Sequence, residues 1–379
     1  MAEQITNYQC PACTGPLHYS ESLGKLKCDY CGTEYEVAEI EAMYAKKEEK
    51  SVEAQKKAEK ETEQNRKQQA KAAEEGWDTS DINDDWGKDA AGMKSYNCPS
   101  CGAELICDET TAATSCPYCG NPTVVPGQFS GVLKPDYVIP FKVSKKEAIE
   151  KLKMHYKGRP YLPKSFKDNN HIEEIQGVYV PFWMFDGKAS GEASYKATTS
   201  KVYEKGDEEI TETRHYEVSR AGSIGFEKIP VDASSKMPDD HMDSIEPYDY
   251  SGLKAFSTAY LPGFLADKYD VSVKDSQKRA DTRCASTLED ALRGTVTGYD
   301  SCTLEHKQID LKRGKVHYAL LPVWMLHTKW NGQDFLFAMN GQTGKMVGDL
   351  PTSKGKFWGL FAAIAAPMTV VLTIILMLS

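Results

Sequence analysis

The sequence has few of the features that mark an enzyme or a nucleic-acid-binding protein. It contains eight histidines but no HExxH or similar pattern, and no GxSxG nucleophile motif. The GQTGK run at 341–345 has too few residues between its glycines for a phosphate-binding loop, and Met346 follows where Ser or Thr is required. The formal net charge of −9 repels phosphate backbones. These absences give no support for an enzyme, and an enzyme housed in residues 129–351 remains a third alternative, which would need a polar pocket with perturbed titratable groups.

The N-terminus also lacks the apolar stretch of a secretory signal peptide, because residues 1–30 contain no such run. Most of the chain is therefore expected to stay in a reducing compartment. Clustered cysteines in such a compartment are typical of metal sites and not of disulfides. The chain has 11 cysteines, and eight of them lie in CxxC pairs.

These eight cysteines form an internal repeat. Each copy has a CxxC pair, then 14 residues, then a second CxxC pair followed by glycine, and the two copies are 88 residues apart. The first set is Cys10, Cys13, Cys28 and Cys31; the second is Cys98, Cys101, Cys116 and Cys119.

Two CxxC turns facing one another bring four thiolates into a tetrahedron, which is the ligand set of a zinc ribbon. The repeat predicts one ribbon over 1–37 and another over 96–128, each with one structural Zn²⁺ and no open coordination position. Rubredoxin-like iron remains an alternative, although no redox partner domain accompanies the motifs. Paired redox dithiols are disfavoured because thioredoxin-type motifs occur singly within βαβ units.

The segment between the ribbons divides into two parts. Residues 38–75 are rich in Glu, Lys, Gln and Ala without Pro or Gly, which predicts a charged, solvated helix or a weak coiled coil. Residues 76–95 are acidic and polar and contain Trp77 and Trp86. We interpret them as an acidic flexible linker that can act as a docking peptide.

Residues 129–351 have the pattern of a mostly antiparallel α+β domain. Ser144 and Glu147 form a capping-box pattern, and a second helix is predicted over 272–293 with Ala280, Cys284 and Leu288 on one face. Two similar apolar runs, VYVPFWMF at 178–185 and ALLPVWML at 319–326, predict strands, with their tryptophans in the core. Asn340-Gly341 predicts a hairpin.

Residues 357–378 contain no charged side chain and are long enough to cross a hydrocarbon core of about 30 Å. Lys354 and Lys356 precede this run, so its N-terminal side is expected to face the cytosol. The sequence thus predicts a single-pass, tail-anchored protein of the cell membrane with the bulk of the chain in the cytoplasm. The overall fold class is α+β and multidomain: two small β zinc ribbons, a long charged helix, the α+β domain and a transmembrane helix.

The charges of the two ribbons favour a protein partner over a nucleic acid. Residues 1–37 contain two lysines against five acidic residues, and residues 96–128 contain three acidic residues and no Lys or Arg. Neither ribbon offers the basic patch that supplies most of the binding energy to DNA or RNA.

The paired ribbons, the PFWMF and PVWML strands, the NGQTGK hairpin and the apolar final segment together resemble bacterial tail-anchored zinc-ribbon proteins. That family is labelled TFIIB-type zinc-ribbon or replication-restart-helicase-like, and the helicase label finds no ATP-binding motif here. The resemblance implies SPFH or phage-shock-type partner proteins, a role in membrane stress, and recruitment of a soluble complex to the inner membrane face. The alternative is a membrane-tethered ribbon protein associated with nucleic acid, transcription or replication.

Overall fold

The computed structural model describes residues 10–11, 17–20, 25–28, 31–40, 42–43, 76–80, 82, 86–90, 92–108, 111, 115–121, 125–127, 133–168, 172–206 and 208–378. Their fold is α+β with mixed sheets. Most of the predicted charged helix, together with Cys13, lies outside these residues.

The described strands are β1 Leu17–Ser20, β2 Lys25–Cys28, β3 Glu34–Tyr35, β4 Met93–Asn97, β5 Glu104–Asp108, β6 Val125–Gly127, β7 Tyr137–Val138, β8 Gln176–Lys205, β9 Glu208–Asp232, β10 Lys254–Ala255, β11 Leu265–Asp267, β12 Ser301–Trp330, β13 Gln333–Asn340 and β14 Met346–Gly348. The α-helices with assigned bounds are α1 Lys145–His155, α2 Lys164–Asp168, α3 Asp239–Ile245, α4 Val273–Gly294 and α5 Lys354–Leu378.

The strands form two separate sheets. Strands β1, β2 and β3 make a small antiparallel sheet around the first cysteine set. The other eleven described strands make one large sheet with the main order β10-β7-β12-β8-β11-β5-β4-β6, while β9 pairs with β8, and β13 joins β12 to β14. The pairings in this sheet are antiparallel except β11 with β8 and β12 with β7.

Strands β8, β9 and β12 extend far beyond their neighbours. At about 3.3 Å per residue, the 30 residues of β8 span roughly 95 Å. Register shifts at Phe185/Gly187 and at Arg313/Val316 divide the three strands into two regions. We call the region near Gln176 and Trp330 the base, and the region that ends at the 205–208 turn the blade.

The base is covered on both faces, which explains the uninterrupted apolar run at 178–185. Val178, Val180 and Phe182 face one buried cluster, whereas Tyr179 and Trp183 face another. A strand buried on both faces has no polar positions to alternate with apolar ones. As predicted, the two similar apolar runs are strands with buried tryptophans. The two strands also pair with each other antiparallel, which the sequence did not predict.

Within the described part of the chain, the blade is covered on one face, by α4. Its Cys284, Leu288 and Leu292 pack in one cluster with Ala189 and Ala193 of β8, whose small side chains let the helix approach closely. Ser272 caps this helix through the Asp275 amide. The predicted helix and its apolar face are confirmed.

Two local predictions near the base are also confirmed. Ser144 and Glu147 form both hydrogen bonds of a capping box at the start of α1. The Asn340 turn joins β13 to β14, and the Asn340 Oδ1 atom accepts hydrogen bonds from the amides of Gln342 and Thr343. These amides are therefore satisfied within the turn and do not form a phosphate cradle.

The segment 76–95 differs from the flexible linker expected from its composition. Trp77 and Trp86 are buried, Trp77 against Phe185 with ring centroids 4.8 Å apart and Trp86 against Phe256. The two indoles supply enough apolar area to hold an otherwise polar segment against the sheet. A docking peptide would need these indoles to be free.

The final helix α5 leaves the base at one defined place. The Ser353 amide donates to the Tyr161 carbonyl at 2.9 Å, and the Lys356 ammonium donates to the Leu162 carbonyl at 2.6 Å. Farther along α5, large apolar side chains stay exposed, among them Trp358 at 62% and Met368 at 66%. By length and composition, the 354–373 part of this helix is one candidate membrane span.

Candidate metal centres

Three of the four CxxC turns, those that begin at Cys28, Cys98 and Cys116, have both cysteines and the following glycine among the described residues, and they share one hydrogen-bond pattern. In each turn the amide of the first cysteine donates to the carbonyl five residues later, at 2.8–2.9 Å for Cys28, Cys98 and Cys116. The amide of the fourth residue after that cysteine donates back to its carbonyl. That residue is always glycine with φ between 66° and 72°, a conformation that other L-residues adopt only at a cost. The glycine thus lets the turn close.

The second cysteine set is assembled as a four-thiol cluster. The sulfurs of Cys98, Cys101, Cys116 and Cys119 all lie within 4.8 Å of one another. The Cys98–Cys119 and Cys101–Cys116 Sγ distances are both 3.6 Å. Tetrahedral ligands at the usual Zn–S distance of about 2.3 Å are about 3.8 Å apart, so the spacing fits a metal ion of this kind. Hydrogen bonds from the three neighbouring thiols lower the pKa of Cys98.

The first cysteine set has the same character over its described members. Cys10, Cys28 and Cys31 are close enough to share an ion, and the Cys10 and Cys31 sulfurs are 3.5 Å apart. Cys10 and Cys28 are buried in a small cluster with Leu17, Leu26 and Ile40, whereas Cys31 is exposed. The predicted fourth ligand, Cys13, lies outside the described residues. Both clusters can hold metal ions, and their donors are compatible with zinc.

The second cluster is continuous with the large sheet. Strand β5 follows the Cys98–Cys101 turn and pairs with β11. Cys98 and Cys116 belong to the same buried cluster as Val178, Phe182 and Leu321 of the base. The residues predicted as a second ribbon and those predicted as the α+β domain therefore share one sheet and one core.

A buried polar triad anchors the second Cys turn to this core. Tyr118, inside the Cys116–Cys119 pair, donates to the Asp267 carboxylate at 2.6 Å, and the Ser234 hydroxyl donates to the same oxygen at 2.7 Å. Burial raises the pKa of Asp267 to about 7, against the two hydrogen bonds that favour its ionised form. Nothing in the sequence links Tyr118 to a carboxylate 149 residues away, so sequence reasoning missed this contact.

His327 of β12 packs against the same turn. A methyl group at Gly120 would collide with the His327 Nδ1 atom, so the glycine is required by this contact as well as by its φ of 66°. The His327 Nε2 atom lies 3.3 Å from Asp334, and burial lowers the pKa of His327. The imidazole is thus a neutral packing partner of the second turn.

The comparison with known proteins rests on one similar relative. The chain is 34% identical over 320 residues to Uncharacterized protein YdjG of Bacillus subtilis (strain 168), and the alignment covers 72% of this chain and 94% of that protein. This chain belongs to the YdjG family. No family model matches the sequence. No solved structure matches it either.

An open cleft of about 560 Å³ lies between α1 and the base, away from the cysteines. Its lining includes three aromatic side chains, with Phe141 and Phe264 stacked at a centroid distance of 4.1 Å beside Trp324. Among the described residues that line the cleft, the charged side chains are Lys142 and Lys145. This lining offers no paired carboxylates, histidine or thiol for acid–base or nucleophilic chemistry.

The three cysteines outside the CxxC pairs belong to neither of the two candidate metal sites. Cys107 is a core residue of β5, Cys284 lies on the buried face of α4, and burial raises the pKa of each thiol to about 11. Cys302 is half-buried on the blade. Such high pKa values keep Cys107 and Cys284 protonated at neutral pH, so these two behave as small apolar core residues.

Proposed function

We propose that this chain is a single-pass membrane protein that holds two zinc-binding modules in the cytosol and acts as an adaptor for a soluble protein complex. The observation that carries the proposal is the exposed apolar helix α5, whose start is hydrogen-bonded to Tyr161 and Leu162 between α1 and α2, on a fold whose large sheet incorporates a four-cysteine cluster. An adaptor needs these two features: a fixed point on the membrane and a rigid presenting surface.

The character of α5 supports the anchor. Its 25 residues extend about 37 Å at 1.5 Å per residue, enough to cross a hydrocarbon core of about 30 Å. The apolar helix of a soluble core is buried by its neighbours, whereas here Phe361, Ile364 and Leu372 are all more than half exposed. Lys354 and Lys356 at the first turn favour a cytosolic location for the preceding chain.

The donor chemistry supports structural zinc. Four thiolates fill a tetrahedral site, so a bound ion keeps no open position for substrate or water. In this role the metal would hold the cysteine turns together and would do no chemistry. Cys98, Cys101, Cys116 and Cys119 would bind one ion, and Cys10, Cys28 and Cys31, with Cys13, would bind the other.

Two surfaces suit the binding of a partner protein. One is the first cysteine module, and the other is the face of the blade that α4 does not cover. Anchoring raises the effective concentration of such surfaces for any complex that touches the membrane, which strengthens weak contacts. By resemblance, the partner would be an SPFH or phage-shock-type protein, and the setting a membrane-stress response.

The anchor is tested by expressing the full chain in bacteria and extracting the membranes with alkaline carbonate. The wild type should remain in the pellet. Ile364→Arg/Met368→Arg places two charges at the middle of α5, at about 3 kcal/mol each, and should release the chain into the soluble fraction. The matched control, Val202→Arg/Tyr203→Arg, changes two exposed apolar residues at the blade tip and should stay in the pellet. Extraction of the wild type would contradict the anchor.

The adaptor role is tested by affinity capture from detergent-solubilised membranes, with bound proteins identified by mass spectrometry. Cys28→Ser/Cys31→Ser should remove a defined set of proteins, because it dismantles the first module, whose sheet is separate from the base. Cys302→Ser serves as the control for loss of a thiol outside both clusters. Unchanged partners in the double variant would exclude the first module as the docking surface.

A further inference from the structure

The stretch of chain that leads to the start of α5, residues 142–167, carries an unusual concentration of positive charge. Between residues 142 and 167 the sequence has nine Lys or Arg against two Glu, a balance of +7 in a chain whose net charge is −9. All nine basic residues are exposed: Lys142, Lys145, Lys146, Lys151, Lys153, Lys157, Arg159, Lys164 and Lys167.

The tertiary structure brings the second half of this stretch to the start of α5. The carbonyls of Tyr161 and Leu162 accept hydrogen bonds from Ser353 and Lys356, and the Tyr161 ring packs on Phe357 with centroids 5.7 Å apart. Tyr161 and Leu162 therefore lie at the level of the first turn of α5, between Arg159 and Lys164.

If α5 spans a bilayer, this level is fixed relative to the lipid. Lysines at the cytosolic end of a span lie among the headgroups, as Lys354 and Lys356 would, and aromatic side chains such as Tyr161 and Trp358 favour the same depth. Basic side chains held within a Debye length of an anionic leaflet are attracted to it. Met154, 67% exposed on α1, adds an apolar side chain to the same surface.

We propose that the surface formed by Lys153, Lys157, Arg159, Lys164 and Lys167 binds the anionic phospholipid headgroups around the anchor. This surface would orient the base against the membrane, so that the blade stands in one direction and does not swing freely about residue 353. The proposal rests on the membrane anchor proposed above. Its partner is the lipid bilayer and not a soluble phosphate.

Hydrogen–deuterium exchange of the full chain in nanodiscs tests this orientation. Nanodiscs of phosphatidylcholine alone are compared with nanodiscs that also contain phosphatidylglycerol. Peptides covering 153–168 should exchange at least about fivefold more slowly with the anionic lipid, the factor that corresponds to the attraction of one basic side chain. High salt should abolish the difference because it screens the charges.

Charge reversal provides the matched comparison. Lys157→Glu/Arg159→Glu/Lys164→Glu should remove the effect of phosphatidylglycerol, whereas Lys201→Glu/Lys205→Glu/Lys312→Glu on the blade should retain it. Equal exchange of 153–168 in both lipids, with α5 peptides protected in both, would overturn the headgroup surface and leave the anchor standing. Rapid exchange of α5 peptides in both lipids would overturn the anchor and this inference together.

Discussion

The two cysteine clusters share a spacing but differ in their surroundings. The first lies in a three-stranded sheet with a small apolar cluster of its own, and its Cys31 is exposed. The second is joined to an eleven-stranded sheet through β5 and β11, and Tyr118 and His327 link its second turn to residues far along the chain. Among the described residues, one copy of the motif therefore lies in a small sheet of its own, and the other is part of the main core.

The two clusters differ in how much of the fold a bound metal would stabilise. A metal that folds only its own ribbon can be lost without consequence for the rest of the chain. A metal whose ligands are part of the main core stabilises that core too. Variants at equivalent positions of the two clusters, or at residues that only one cluster contacts, separate these two cases.

Ligand removal should give the largest effect. Cys28→Ser and Cys116→Ser should each lose one equivalent of bound metal. Only Cys116→Ser should lower the free energy of unfolding of the large sheet, by more than about 4 kcal/mol, because it removes a metal from a core shared with the base.

Elemental analysis and urea unfolding followed by tryptophan fluorescence measure these two quantities on the full chain in detergent. The six tryptophans all lie after residue 76, so their fluorescence does not report on the first module. Equal losses of stability in the two variants would contradict the distinction between the clusters.

The buried Asp267 gives a prediction about pH. Its folded pKa, raised to about 7, lies above the ordinary value of 3.8 for aspartate, so the folded state holds the proton longer than the unfolded state does. The stability it contributes is present at low pH and is lost as pH rises towards 7, at about 1.4 kcal/mol per unit.

Asp267→Asn removes this pH-dependent loss of folding stability, because the amide does not titrate. From pH 5 to pH 7 the unfolding free energy of the variant should rise relative to wild type by roughly 2 kcal/mol, measured by urea unfolding. The lower limit is pH 5 because thiolate sites release metal when they are protonated. Asp310→Asn on the exposed face of the blade should show no such trend, and a flat difference for Asp267→Asn would show that the carboxyl is ionised throughout.

The glycines that close the second turns give the smallest expected difference. Gly32 and Gly120 occupy equivalent positions with φ of 72° and 66°, so alanine at either should cost about 1–2 kcal/mol in backbone strain. At Gly32 the added methyl group comes within 4 Å of no atom of the described residues, whereas at Gly120 it meets His327.

Gly120→Ala should therefore cost about 1–3 kcal/mol more than Gly32→Ala, because of this overpacking. The rate of metal transfer to a chelator is measured for both variants, and thermal unfolding of the large sheet also detects the Gly120 change. Restoration of stability by the additional His327→Ala substitution would identify the collision as the cause. Equal costs at the two glycines would argue against it.

Much of the local structure could be predicted from the sequence. The capping box at Ser144, the apolar face of α4 and the Asn340 hairpin depend on residues a few positions apart, and such patterns survive in any tertiary context that keeps the element. The apolar runs at 178–185 and 319–326 were recognised as strands for a similar reason. Their mutual pairing was not predicted, because two runs 141 residues apart carry no local mark of their register.

The prediction of a flexible linker over 76–95 is wrong because it follows the acidic composition of the segment and gives too little weight to its two tryptophans. Its acidic average predicts a solvated linker, but Trp77 and Trp86 find buried places that no window around them reveals. The energy of burying an indole depends on the cavity that receives it, and that cavity is built by β8 and the 256 region.

The sequence by itself determined the sulfur donors, the glycines that close their turns and the apolar helix α5, because each depends on neighbours within a few residues or on length and composition. Only the tertiary structure decided that the two cysteine sets are unequal, and that the basic stretch after α1 meets the first turn of α5. Both depend on pairings between residues more than a hundred positions apart, and these are fixed by the packing of the whole sheet and not by any local pattern.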